Sequence, residues 1–297
     1  MADKKILGWI GLGIMGKPMS GHLLAAGNTV NIYDVVPAAI KEVQAKGGIP
    51  CRSSKEVAQK SDIIFTMVPD TPDVEAALFG KDGVAEGLKK GSIVVDMSSI
   101  SPIATKEFAK KIKDMGGRYL DAPVSGGQVG AEKAILSIMV GGDADLFEEI
   151  KPYFEKMGKN IVLIGDNGAG QTCKVCNQIA VALHILASSE ALLLAAKAGV
   201  DPAKVRAALM GGLAASRVLE VIGERQIKRT FQPGFRIRLH QKDLNLALQS
   251  ARSLHMSLPG TAIAQEMFNA VAADGNIDLD HSAMVLALEK LAAHKVA

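Results

Sequence analysis

Between Gly168 and Gln178 the chain reads GAGQTCKVCNQ, and three kinds of chemistry share those residues. Cys173 and Cys176 have the spacing of a redox pair or of half a zinc site, Lys174 lies between them, and the amides Asn177 and Gln178 follow. A redox pair needs a depressed thiol pKa at a helix N-terminus in a thioredoxin-like setting. Zinc needs four ligands, yet Cys51 is the only other cysteine, and His22, His184, His240, His255, His281 and His294 show no HxxxH or similar pairing. No metal site is expected, and the two cysteines are read as buried, small apolar residues. Lysine offers a simpler chemistry. With an unperturbed pKa of ~10.4 it is protonated at neutral pH, so it can polarise a carbonyl and then hand it a proton. Amides three and four positions further on share its side of a helix and can orient a substrate.

A second cluster lies at the start of the chain. The apolar run Ile6–Ile10 leads into Gly11, Leu12, Gly13, Ile14, Met15 and Gly16, a GxGxxG that opens a helix. The first glycine permits a tight turn, the second lets backbone approach a pyrophosphate, the third lets helix close on strand, and the helix N-terminus supplies N–H donors. The next strand ends in Tyr33 and Asp34, at the distance from the glycines where a carboxylate meets the ribose hydroxyls of NAD. Asp34 would repel a 2′-phosphate, and Val35 and Val36 offer no arginine to receive one, so NAD is expected over NADP. A third segment, DAPVSGG from Asp121 to Gly127, bends the chain where Ser125, Gly126 and Gly127 can aim N–H and O–H donors at a carboxylate, or can form an ordinary polar turn.

The elements that must hold these groups are legible as a pattern. Short β-rich runs at Ile6–Ile10, Thr29–Tyr33, Ile63–Val68, Ile93–Met97, Tyr119–Leu120, Ile138–Val140 and Ile161–Ile164 alternate with helical stretches, which predicts a parallel sheet covered on both faces. After Gly170 helical periodicity dominates. One long helix is expected over about 171–198, with Gly199 to stop it. Asp201 and Pro202 read as an N-cap and first-turn proline for a helix through Met210, and further helices are expected near 216–229, 241–254, 260–273 and 281–292. The reading is an α/β Rossmann domain over 1–165 and an all-α domain over 166–297, joined by a long helix.

Three motifs standing in this order, GLGIMGKPM at Gly11–Met19, DAPVSGG and GAGQTCKVCNQ, resemble the β-hydroxyacid dehydrogenase family over essentially the full chain. That family includes 3-hydroxyisobutyrate dehydrogenases and tartronate semialdehyde reductases. GGLAASRVLE at Gly211–Glu220 and FQPGFRIRLHQKDLNLAL at Phe231–Leu248 are most similar to the tartronate semialdehyde reductase branch. The resemblance implies an active site in a cleft between the domains, with Lys174 as the catalytic lysine. It implies Ser125, Gly126, Gly127 and Asn177 as substrate contacts, and Lys242 as a lysine reaching cofactor and substrate. It further implies Val68, Pro69 and Ser99 as residues of loops flanking the nicotinamide. Two departures stand out. Many members place the asparagine four residues after the lysine, where this chain has Gln178, so either amide can be the one that meets substrate. Trp9 replaces a smaller residue in the first strand, and only a packing adjustment is expected.

The reaction so implied is NADH-dependent reduction of a small carboxylate-bearing semialdehyde, with oxidation of the hydroxyacid favoured at alkaline pH, where the lysine can accept a proton. Arg217, Phe235, Arg236 and Lys242 lean toward a polar substrate, tartronate semialdehyde; an apolar wall would suit methylmalonate semialdehyde and a 3-hydroxyisobutyrate dehydrogenase. A dinucleotide-binding protein without catalysis is the alternative of a different class, and retention of Lys174 and Ser125 argues against it.

Bulk properties fit this reading. The chain has 297 residues, 48% hydrophobic and 22% charged, enough for two domains. A net charge of +3 from 34 basic and 31 acidic residues, interleaved, indicates no nucleic-acid surface. The N-terminus lacks a secretory pattern, and the apolar run from Ile179 to Ala187 is broken by Ser188, Ser189 and Glu190 short of a membrane span. A cytoplasmic protein is expected, with the long apolar helix buried between domains or in a homodimer or homotetramer.

Overall fold

The computed structural model describes residues 5–297. The chain divides between Lys174 and Val175 into two compact units. The first is built from β1 (Leu7–Ile10), α1 (Gly16–Ala25), β2 (Val30–Tyr33), α2 (Pro37–Gln44), β3 (Ile49–Pro50), α3 (Ser54–Lys60), β4 (Ile63–Thr66), α4 (Thr71–Phe79), α5 (Val84–Gly87), β5 (Ile93–Asp96), α6 (Pro102–Asp114), β6 (Arg118–Asp121), β7 (Val124–Ser125), α7 (Gly127–Glu132), β8 (Leu136–Gly141), α8 (Ala144–Phe154) and β9 (Gly158–Gly165). The strands lie in the order β3-β2-β1-β4-β5-β6-β8-β7, with β9 on β8.

From β3 to β6 every pairing is parallel. The chain order reverses between β1 and β4, so the glycine turn after β1 sits at the switch point, where such sheets bind dinucleotides. Successive side chains of a strand point to opposite faces, and both faces are covered. Leu7, Trp9, Ile63, Phe65, Ile93 and Val95 join one core with α1, α2 and α8 residues such as Met19, Val43 and Phe154. Ile10, Ile64 and Val94 join another with Val57 of α3, Leu78 of α4 and Phe108 of α6.

The expectation of a parallel sheet is corrected at β8, which runs antiparallel to β6 and β7. β7 keeps the direction of β6, and the chain turns back through α7 into β8. Two short strands carried no alternating signal. β3 is a two-residue, exposed strand containing a proline, and β7 lies inside the segment read as a bend. β9 alternates exposed and half-buried residues, as an edge does.

The second unit holds most of α9 (Ala169–Lys197), then α10 (Pro202–Leu209), α11 (Arg217–Ile227), α12 (Ile237–Ser253), α13 (Pro259–Val271), a π turn at Ala272–Asn276, a 3-10 turn at His281–Met284 and α14 (Val285–Ala292). Asp201 caps α10 by accepting from the Ala203 N–H at 2.8 Å, and Gly199 ends α9 with φ +75°. The core gathers Ile185, Ile222, Ile237, Leu244, Phe268 and Met284. Ser188 and Ser189 do not interrupt α9. Each hydroxyl donates at 2.7 Å to the carbonyl one turn back, His184 and Ile185 respectively, so polar residues continue the helix. Its 29 residues make α9 long and apolar enough to cross a membrane by length and composition, a property it shares with core helices; 39% of its most apolar window is buried.

Candidate active site

The turn after β1 has the backbone that its glycines allow. Gly11 takes φ +93°, and a side chain on Gly16 would collide with the Gly11 carbonyl, so α1 starts tight against the strand. A Cβ on Gly13, by contrast, would meet nothing within 4 Å, which leaves open space above the turn. Asp34 closes the other side: its carboxylate accepts from the Leu12 N–H at 2.5 Å and the Val36 N–H at 2.7 Å. Leu12 is buried, while Ile14 is half exposed. This cradle fits the pyrophosphate and adenosine ribose of a dinucleotide. Trp9 does more than adjust packing. It is fully buried, stacks on Phe65 with centroids 5.4 Å apart, and donates its indole N–H to the Gly11 carbonyl at 2.9 Å, so it fixes the turn itself.

The loops after β4 and β5 are tied together. The Ser98 hydroxyl accepts from the Val68 N–H at 3.0 Å, and Asp96 Oδ1 accepts from the Thr66 hydroxyl at 2.7 Å and the Ser98 N–H at 3.1 Å. Val68 and Ser99 are half-buried and Pro69 is exposed. Asp96 is fully buried, and desolvation pushes its pKa up to about 6, against the opposing effect of the Ser98 and Thr66 hydrogen bonds.

Asp121 is not part of the carboxylate cradle that DAPVSGG suggests. It ends β6, fully buried, and accepts from the N–H of Gly168 at 2.8 Å and of Gln171 at 3.0 Å, so it anchors the start of α9. Burial raises its pKa while those two donors pull it down; the N-terminal end of the helix dipole also favours a carboxylate there. Gln171, likewise fully buried, accepts from the Ile100 N–H at 3.1 Å and donates to the Ser98 carbonyl at 2.7 Å. Neither residue drew attention in the sequence, because their partners lie between 47 and 73 positions away. Three residues after Gln171 stands Lys174, only 7% exposed. Ser125 and Gly127 are half-buried and Gly126 is exposed, with φ +132° at Gly126 and +60° at Gly127.

In the second unit the two amides part company. Gln178 is buried; its Nε2 donates to Asp243 Oδ2 at 2.5 Å and its Oε1 accepts from Asn177 Nδ2 at 2.7 Å. Asn177 is half-buried. Lys242 pairs with the other oxygen of Asp243 at 3.1 Å, so Asn177, Gln178, Asp243 and Lys242 form one polar chain. His240 stands 3.1 Å from the Gln178 carbonyl and 3.1 Å from His281 Nδ1, a contact between residues 41 positions apart. Arg217 and Arg236, which lent the sequence its polar character here, are paired with Glu220 and Asp278, and Phe235 makes T-shaped ring contacts with His240 and His281.

The cysteines are corrected. Cys51 is buried, but Cys173 is half-buried and Cys176, less than one turn further along α9, is exposed. None of the three forms a disulfide. Among the described residues no set of three His, Cys, Asp or Glu side chains is grouped to hold a metal ion.

Comparison with known proteins agrees with this layout. Residues 6–165 match the NAD-binding domain of 6-phosphogluconate dehydrogenase, and residues 168–288 match the NAD-binding domain of NADP-dependent 3-hydroxyisobutyrate dehydrogenase. The chain belongs to the β-hydroxyacid dehydrogenase family. It is an oxidoreductase with an NAD(P)-binding Rossmann unit and a helical second unit. It is 60% identical over 291 residues to the 2-hydroxy-3-oxopropionate reductase of Escherichia coli strain K12, covering 98% of this chain and 99% of that one. It is 35% identical to the NAD-dependent L-serine dehydrogenase of Pseudomonas aeruginosa, covering 94% of this chain and 96% of that one. Among solved structures it resembles the Mycobacterium tuberculosis 3-hydroxyisobutyrate dehydrogenase with L-serine, at a TM-score of 0.90 and 32% identity, covering 96% of this chain and 99% of that one.

Proposed function

We propose that the enzyme reduces tartronate semialdehyde to glycerate with NADH. The observation that carries this reading is the 60% identity, over nearly the whole of both chains, to a 2-hydroxy-3-oxopropionate reductase. NADH supplies the hydride that adds to the aldehyde carbon. Lys174 supplies the proton: its N–H bond breaks as the carbonyl oxygen takes up charge, and an O–H bond forms on the product alcohol. Burial supports the role, because a charge held out of bulk water polarises a carbonyl more strongly than an exposed one. Ser125, Gly126 and Gly127 hold the substrate carboxylate, with Lys242 reaching cofactor and substrate. Asn177, the less buried of the two amides, orients the substrate, while Gln178 is held by Asp243. Oxidation of glycerate needs the neutral lysine and is favoured at alkaline pH.

NADH over NADPH is supported by Asp34, whose carboxylate already sits on the backbone of the glycine turn and would repel a 2′-phosphate. Gly11 to Gly16 carry the pyrophosphate, and Val68, Pro69 and Ser99 flank the nicotinamide. We place the enzyme in the cytoplasm, and as a homodimer or homotetramer because α9 leaves the large apolar side chain of Leu194 exposed. The test is a panel of small semialdehydes assayed for kcat/KM with each cofactor. Tartronate semialdehyde with NADH is expected to lead; a preference for methylmalonate semialdehyde or for NADPH contradicts the reading.

A further inference from the structure

The amide of Gln171 is committed at both ends to one loop. Its oxygen accepts from Ile100 and its nitrogen donates to Ser98, while its own backbone N–H is held by Asp121. The gripped loop continues the same frame: the Ser98 hydroxyl holds Val68, and Asp96 holds Thr66 and Ser98. Hydrogen bonds therefore run unbroken from the loop after β4, through the loop after β5, to the first turn of α9. Lys174 leaves that helix ~4.5 Å further along its axis and less than one turn round.

We propose that Gln171 is a positioning residue that registers the loops seating the hydride donor against the helix turn carrying the proton donor. This rests on the reading of Lys174 as general acid. The chemistry asks for an amide, since one end must accept from a backbone N–H and the other must donate to a backbone carbonyl. Methionine has the same length and can do neither. Glutamate keeps the acceptor but turns a second acceptor toward the Ser98 carbonyl. Misplacing a reacting group by a fraction of an ångström to 1 Å slows the chemical step by ~10- to 100-fold, without altering the glycine turn that binds the dinucleotide.

The test uses the full-length protein with NADH and tartronate semialdehyde. Gln171→Met is expected to lower the single-turnover hydride-transfer rate ~10- to 100-fold, while the NADH dissociation constant, read from the fluorescence of the single tryptophan Trp9, stays within about threefold. If Gln171→Met does not fold, Gln171→Glu carries the same test. Because Gln171 acts through Lys174, the double variant with Lys174→Ala should be no slower than Lys174→Ala alone. A normal rate per active site in the Gln171 variant, or a double variant as slow as the product of the two single losses, overturns the proposal. Normal turnover in Lys174→Ala instead overturns the lysine reading on which it rests.

Discussion

Gly170→Ala adds one methyl group where α9 leaves the sheet. Its Cβ would lie 2.9 Å from the Asp121 carbonyl and 2.9 Å from Asp121 Oδ2, and closer still to the Met139 carbonyl. Ordinary contact begins near 3.4 Å, so the start of α9 must move by about 0.5 Å or more. Met139 and Asp121 belong to buried strands, so the strain falls on the helix and on the bonds from Gly168 and Gln171 to the Asp121 carboxylate. Overpacking of this kind costs ~1–3 kcal/mol, and a displaced Lys174 slows the chemical step by ~10- to 100-fold. Denaturant unfolding, NADH binding read through Trp9 and steady-state turnover separate these effects. The expected result is lower stability and lower kcat with NADH affinity within about threefold, because the glycine turn is untouched. A variant of unchanged stability with kcat within about twofold of the parent would refute the argument that α9 cannot shift without moving the lysine.

Three other outcomes are expected. Asp34→Ser, which keeps an acceptor but removes the charge, should raise the ratio of kcat/KM for NADPH to that for NADH by tenfold or more, ~1.4 kcal/mol; an unchanged ratio contradicts the role of Asp34. Asn177→Ala should raise KM for the semialdehyde with little change in melting temperature, whereas Gln178→Ala should lower the melting temperature by leaving Asp243 short of a donor, a loss of ~1–3 kcal/mol; the reverse pattern would make Gln178 the substrate amide. Asp96 has a folded-state pKa of about 6 against an ordinary 3.8, so the folded protein binds the extra proton and stability declines as pH rises through that window. That difference is worth ~3 kcal/mol. Asp96→Asn, uncharged throughout, should therefore gain in melting temperature relative to the parent between pH ~4 and ~7, and a constant difference would refute the assignment.

Much of the fold was legible because its signals are local. β1, β4 and β5 are nearly continuous apolar runs, Gly199 and Asp201 punctuate the helices, and the glycine turn announces itself by spacing. What escaped was set by distant partners. The antiparallel direction of β8 follows from how the chain turns back through α7, which no periodicity records. Helix α12 begins at Ile237, before the expected 241, where the Ile237 N–H meets the Leu279 carbonyl and Arg236 bridges Asp280. At the site, the sequence singled out groups able to do chemistry, Lys174 and Asp34 among them. It passed over Asp121 and Gln171 and read Trp9 as packing alone, although all three hold backbone in place. Such residues look like ordinary polar or aromatic positions until their partners are seen.

The most direct test of the account is the rate of hydride transfer in Lys174→Ala. With NADH bound to saturation and tartronate semialdehyde mixed in, loss of the proton donor should slow NADH oxidation by ~10²- to 10⁴-fold while NADH affinity is kept. Near-normal turnover by a variant that still binds NADH would show that another group supplies the proton and would remove the centre of the proposed mechanism.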